Sequence, residues 1–379
     1  MKKCIPLLVR ISILIALVVF IITISILKTS PTICEAFTRG PGRVYALIMS
    51  KISSIVPFSL TEFMYMALFI GVGILLVKTI ICLVKKEFLI AGHRFLDACL
   101  VVVTMFSFYT YSCEFAYNRK AMPLPYYEQE VLRTEHVNIY NYFADDVNYC
   151  ISQLDFKENG DVTPKLSFEE IVEEVKKSYS IIDGNNYYHS HFGNVKPMAS
   201  SFLFTEFQIT GVDYSPISEA NINVCNTMSD IPFTIAHEIA HTKGVMREDD
   251  ANKMAFYICL NSEHPYLRYS AYCSFFYQIE AMTSSYYLTD EERAELHPVD
   301  SALYKTRRYV YDFWKKHDLL GDIADFFNNL YIKSSGVQEG TASYSGGTTY
   351  VHDPTTSKLI PSLYQKLFFD KYYRSKAFD

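Results

Sequence analysis

His237-Glu238-Ile239-Ala240-His241 fits the pattern H-E-x-x-H. On a helix, residues four apart share a face one turn apart, so both imidazoles can reach one metal ion. Glu238 follows the first histidine, where a carboxylate can stand beside a metal-activated water and act as general base. The flanks predict the helix. Asp230 or Ile231 caps the start, Pro232 suits the first turn and Gly244 suits the stop. Ile235 with Ile239, and Ala236 with Ala240, form apolar i,i+4 pairs, so the helix can bury its back while the histidines face a cleft. The bland account is two histidines on an ordinary amphipathic helix.

The chain that carries this segment has 379 residues, half of them apolar and a fifth charged, with a net charge of −6. No basic run points to nucleic acid. The nine cysteines form no C-x-x-C pair, which argues against a cysteine zinc site. Cys150, Cys225, Cys259 and Cys273 fall in the soluble part, where one or two disulfides or free buried thiols are both open.

Three apolar runs precede the soluble part: Ile11 to Leu27, Thr61 to Leu83 and Phe95 to Cys113. The first has the basic start of a signal peptide but no clear cleavage site, and reads as an uncleaved membrane helix. Gly40-Pro41-Gly42 reads as a turn, and Tyr45 to Ile55 as a helix along the membrane surface or a plain linker. Basic residues at the N-terminus and at Lys85, Lys86 and Arg94 predict a cytoplasmic N-terminus and an extracytoplasmic C-terminal part. Arg39, Arg43 and Lys51 make that bias imperfect. The expected organisation is a membrane domain over residues 1–116 and a soluble domain over 117–379.

In the soluble part, Leu132 to Leu154 and Ser167 to Ile182 read as helices, the second with a capping box. His189 and His191 sit in a polar loop and suggest either a second metal site or solvated side chains. Ser201 to Gly211 reads as a strand or hairpin. Glu219 to Val224 alternates Asn221 and Asn223 with Ile222 and Val224, as on an edge strand. Helices are expected over Asp249 to Asn261, from Tyr266 to about Tyr287, and over Asp290 to Leu296, Leu303 to His317 and Leu319 to Tyr331. The last of these is expected to end the packed part. Val337 to Thr349 reads as a loop.

A catalytic zinc needs a third protein ligand and an open position. Arg247-Glu248-Asp249-Asp250-Ala251-Asn252 resembles the E-x-x-A-D signature of gluzincin metallopeptidases. The resemblance makes Glu248 the third ligand of a Zn2+ held by His237 and His241. It puts Asn252, in place of the usual aspartate, behind a ligand histidine. A metzincin's third histidine would fall at Arg247, which argues against that class. The gluzincin likeness also implies that the strand carrying Asn221 and Asn223 binds substrate backbone. Further segments are similar to a bacterial membrane-protein family known as domain of unknown function 3810. They are Pro57-Phe58-Ser59, Glu219-Ala220-Asn221, Leu267-Arg268-Tyr269-Ser270 and Gly340 to Tyr344, together with the two zinc-type motifs and the three spans.

The expected fold is therefore a three-span α-helical anchor followed by a mainly α, zincin-like α+β domain with a small sheet. The expected activity is zinc-dependent hydrolysis of an extracytoplasmic protein or peptide, with Glu238 moving the proton from water to the leaving amine. Because the motif lies well beyond the spans in sequence, the expected substrate is water-accessible polypeptide. The oxyanion donor is open among His264, Arg268, Tyr269 and His297. Two rivals stand beside this: a non-catalytic zinc protein that binds a partner, and a metal-free envelope sensor or assembly factor. The bilayer is the one further partner expected, and oligomeric state is not indicated.

Overall fold

The computed structural model describes residues 7–182, 187–353 and 358–377. The amino-terminal part holds helices α1 (Leu7–Leu27), α2 (Pro31–Phe37), α3 (Arg43–Ser53), α4 (Leu60–Val84) and α5 (Phe88–Tyr117). Of these, α1, α4 and α5 are long and apolar enough to cross a membrane. Gly40-Pro41-Gly42 does not form the expected turn. It lies in a π-helical stretch, Thr38–Gly42, that joins α2 to α3 without a break. Pro41 lacks an N–H to donate, which suits a widened turn.

Two charge pairs set the order of the bundle. Arg10 of α1 meets Asp97 of α5 at 2.7 Å. Lys28, just past α1, meets Glu114 near the end of α5. The two helices thus run parallel, and the short turn at Lys85–Glu87 makes α4 antiparallel to them. The start of α1 and the α4–α5 turn lie at one end, and the rest of the chain folds at the other.

The second part continues with α6 (His136–Ser152), α7 (Phe168–Ser178), α8 (Ser201–Glu206), α9 (Ile231–Thr242), α10 (Glu248–Leu260) and α11 (Pro265–Phe275). It ends with α12 (Tyr277–Glu280), α13 (Asp290–Ala294), α14 (Ser301–Lys316), α15 (Gly321–Ser334) and α16 (Leu363–Lys376). The strands are the pair β1 (Asp155–Phe156) and β2 (Val162–Thr163), then β3 (Asn194–Pro197), β4 (Gly211–Tyr214) and β5 (Glu219–Ile222), and the pair β6 (Val351–His352) and β7 (Leu359–Ile360). The capping box before α7 is present, Ser167 and Glu170 each bonding the other's backbone N–H. The protein is mainly helical, with small sheets.

The three-stranded sheet overturns one expectation. Its order is β3-β5-β4, with β5 parallel to β3 and antiparallel to β4. The strand holding Asn221 is central, and β4 is the edge nearest the helix that carries the histidines. Alternation of Asn with Ile and Val reads as one wet face. Here the polar face is buried instead, against the start of α4. Ser201 to Glu206 is helical rather than extended, because Glu62 of α4 accepts from the N–H groups of Ala199 and Ser200 and fixes the helix start.

The carboxy-terminal tail is core. Tyr364, Leu367, Phe368 and Phe369 of α16 are fully buried. Tyr364 stacks on Phe275 with ring centroids 4.0 Å apart, and Phe368 meets Phe256 of α10 at 4.9 Å. Each such ring, once buried, is worth about 1.5–3 kcal/mol. The helix α15 therefore does not end the packed part. The eight described cysteines are free thiols, so the disulfide alternative is not realised.

Candidate metal centre

Helix α9 forms where expected. Pro232 sits in its first turn and Gly244, at φ +84°, ends it. Its back is buried through Ile235, Ala236, Ile239 and Ala240, none of which keeps any exposed surface. The front carries His237 and His241. Helix α10 packs across it and begins at Glu248.

Three ligand-type atoms converge. His237 Nε2 and His241 Nε2 lie 3.0 Å apart, and Glu248 Oε2 stands 3.1 Å from the first and 3.5 Å from the second. Both rings are pinned from behind. His237 Nδ1 donates to Asn252 Oδ1 at 2.8 Å, and His241 Nδ1 donates to the Val245 carbonyl at 2.8 Å. With its proton on Nδ1, a neutral ring at either position would turn its Nε2 lone pair towards the space it shares with the Glu248 carboxylate. Such an arrangement could hold a cation in its midst. Tetrahedral ligands bonded at 2.0–2.1 Å stand about 3.3 Å apart, and 3.0, 3.1 and 3.5 Å bracket that spacing. Two imidazoles and a carboxylate are a donor set that suits Zn2+.

The charges agree with this. Burial alone would lower His241, but Glu248 outweighs it and pushes the imidazole up to about 10. Glu248 is held well below the carboxylate range by the two imidazoles, against the pull of burial. The cluster stabilises positive charge at its centre.

Glu238 lies next to the ligands. Burial pushes its carboxyl up to about 8, and among the described residues Oε2 has no hydrogen-bond partner. Strand β4 holds it in place. A Cβ on Gly211 would fall 2.6 Å from Glu238 Oε1 and 2.7 Å from its Cγ, so only glycine lets the strand come this close. Two residues on, Asp213 faces His241 with one buried oxygen unpartnered, and burial lifts it to about 6.

Of the residues that sequence reasoning missed, Tyr344 comes from the segment read as a loop and Gly211 and Asp213 from β4. A 3₁₀ turn over Gly340–Ser345 brings Tyr344 to the site. Its carbonyl accepts from Asn252 Nδ2 at 3.0 Å. Its hydroxyl accepts from Asn328 at 3.3 Å and lies against Glu248. Burial, then Glu248, raises this phenol well above its usual value, so at neutral pH it is a donor. No spacing in the sequence links Tyr344, Gly211 or Asp213 to the histidines.

Other candidates lie elsewhere. Asn221 is buried, accepting from Ser59 Oγ at 2.6 Å and donating to Thr61 Oγ1. Asn223 bonds Thr205 and the Ile209 carbonyl. Neither side chain is free for substrate. His264 caps α11, Arg268 bonds the Ser262 and Glu263 carbonyls, Tyr269 bonds Thr306 and His297 pairs with Asp145. His189 is buried between the Thr38 and Thr242 carbonyls and stacks on His191. Burial pushes the pair down to about 3 and about 4 respectively. Among the described residues, the one metal-type cluster of three is His237, His241 and Glu248.

The family described as "Protein of unknown function (DUF3810)" matches residues 37–351, most of the chain. The chain belongs to that family. No curated protein and no solved structure matches it. The span matched in this DUF3810 protein runs from the end of α2 through the metal cluster to Val351, so it takes in both halves of the molecule.

Those halves are locked together beside the cluster. Arg119 holds Glu35 through two bonds of 2.9 and 3.0 Å, and also donates to the Gly244 and Tyr187 carbonyls. Glu219 accepts from the Thr61 N–H and from Lys196 at 2.6 Å, while Lys196 also reaches the Ser53 and Phe58 carbonyls. Met246, in the turn between α9 and α10, packs on Cys113, Ala116 and Tyr117 of α5. A cavity is lined by His241 and Asp213 together with Ser112, Phe115 and Ala116 of α5. The motif is far from the spans in sequence but next to the end of α5 in space.

Proposed function

We propose that this chain is a membrane-anchored zinc metallopeptidase of gluzincin type, acting on polypeptide outside the cytoplasmic membrane. The observation that carries the reading is the pair of Nε2 atoms 3.0 Å apart, each pinned through Nδ1 to a carbonyl-type acceptor, facing Glu248. Beside them stands a buried carboxylate oxygen with no partner among the described residues.

His237, His241 and Glu248 would hold the zinc. When bound, Zn2+ supplies a Lewis acid and an acidified water. Glu238 takes the proton and passes it to the leaving amine, and Gly211 keeps its carboxylate in place. Tyr344, protonated at neutral pH, is the donor best placed for the developing oxyanion. The outer edge of β4 can receive the substrate as an added strand. The basic residues of the α4–α5 turn and the N-terminus support a site on the outer face.

The test uses the full chain in detergent, because α2, α3 and α5 are bonded into the folded part. Zinc is counted in the parent, E248A, E238Q and Y344F, and each is assayed on a quenched-fluorescent peptide library. One zinc per parent chain, its loss in E248A, and zinc-loaded but inactive E238Q are expected. Less than about half a zinc per folded parent chain would overturn the site. Cleavage by zinc-loaded E238Q equal to the parent's would overturn the general base and favour a non-catalytic zinc protein.

A further inference from the structure

Helix α15 carries an apolar face that nothing in the described structure covers. Ile323, Phe326, Phe327 and Leu330, with Leu319 just before the helix, form one stripe at helical spacing and are 52–77% exposed. The opposite face is packed through Ile332, and Tyr331 packs at the flank of the stripe. Such a stripe of five large residues on a soluble surface would be an aggregation hazard.

The position of the helix says what covers it. At its carboxy-terminal end, the Ser334 carbonyl accepts from Lys28 and the Ser335 carbonyl from Asn118, the residues that close α1 and α5. Ser335 Oγ bonds Glu114 of α5. Tyr331 lies edge-on to Tyr109, 5.4 Å between centroids, two turns inside the end of α5. At the other end, the Leu320 N–H bonds the Glu206 carbonyl at the end of α8, whose start is bonded to Glu62 in the first turn of α4. Both ends of α15 are thus tied to the same end of the three apolar helices. Helix α5 is about 45 Å long against a hydrocarbon core of about 30 Å, so with the core starting at Phe95 it ends near Phe115, and Tyr109 lies about 9 Å inside that boundary. Phe202 of α8, 71% exposed, adds a large apolar side chain to the element that anchors the start of α15.

We infer that α15, with α8, lies in the lipid interface as a further membrane contact beyond the three spans. A lipid surface is the occupant because α15 is tethered to the end of the apolar helices where α4 exposes Phe63 and Met66 and α5 exposes Phe106 and Phe108. Asp322 and Asp325 lie outside the stripe on the wheel, as an interfacial helix requires. The inner face bears Asn328, which holds the Tyr344 hydroxyl. On the peptidase reading, the site then works at the bilayer surface, and the substrates it reaches most readily are polypeptides that emerge from the same membrane.

The test needs no activity, so its failure is separate from that of the peptidase reading. The full chain is placed in phosphatidylcholine–phosphatidylglycerol vesicles containing shallow-brominated phosphatidylcholine. The emission added by F326W, and separately by L330W, is read after subtracting the parent, whose tryptophan is Trp314. F69W in α4 is the lipid control and Y149W in α6 the aqueous control. About half or more of the added emission should be lost to bromolipid in F326W and L330W, with little quenching by iodide, as for side chains some 5–10 Å below the headgroups. Bromolipid quenching of F69W but of neither α15 variant overturns the inference and leaves the spans standing. Shielding from both quenchers overturns it in favour of a protein contact. An unquenched F69W overturns the membrane reading itself.

Discussion

Strand β4 leaves no room for a side chain between Gly211 and Glu238, and G211A tests what that close packing does. The added Cβ would stand 2.6–2.8 Å from Oε1, Cγ and Cδ of Glu238. Carbon atoms rest at about 3.5–4.0 Å, so the carboxylate or the strand must give way by roughly 0.8 Å. A displacement of that order at a general base costs about 100-fold in rate. The same overpacking costs about 1–3 kcal/mol of stability. Zinc content should not change, because His237 and His241 are pinned by Asn252 and Val245 on the far side of their rings. The assay pairs zinc counting with peptide hydrolysis, E238Q setting the background. Adding E238A to G211A removes the obstructing carboxylate and should recover most of the lost thermal stability. Hydrolysis by G211A within about three-fold of the parent would refute the argument that β4 positions the base. Loss of zinc would refute the separation of base from ligands.

Three further outcomes are expected. N252L removes the acceptor that orients His237, and chelator competition should show zinc affinity falling about 10–100-fold while N252D retains it; equal affinity in N252L would sink that role. K196M leaves Glu219 buried without its cation, a loss of about 3–5 kcal/mol, and K196M/E219Q should melt higher than K196M alone. Asp230 is half-buried and bonded to Thr227, and loss of water around its carboxyl lifts it to about 6 from the usual 3.8. The folded state holds this proton more tightly, so the stabilisation is full below about pH 4 and is gone above about pH 6, roughly 3 kcal/mol in all. The parent should therefore lose melting temperature across that window relative to D230N, and parallel curves for the two would refute the assignment.

Much of this was legible in the sequence because it is local. Two histidines four apart on a helix face, an apolar back, Pro232 at the start and Gly244 at the stop concern neighbours along one turn or two. The three apolar runs declare themselves by length alone, since about 20 residues are needed to cross a bilayer. Glu248 and Asn252 were legible only through likeness to a known pattern, and the structure brings both to the histidines.

Pairing across the chain was not legible. Asn221 alternates with apolar neighbours on an edge strand and on a central strand alike. Its burial is decided by Ser59 and Thr61, some 160 residues away. Tyr344 sits in a Gly- and Ser-rich segment that looks loose, yet its carbonyl and hydroxyl close the site because α15 and the 3₁₀ turn after it fold back over α10. The aromatic tail looked like an ending and is core, since Tyr364 and Phe368 find their partners on α10 and α11. Sequence thus determined the metal-type helix and the membrane-length spans, where periodicity and length suffice. Tertiary structure alone decided which strand is the edge, which tyrosine reaches the ligands and how near they lie to the spans. Those depend on contacts between residues whose separation along the chain carries no periodic signal.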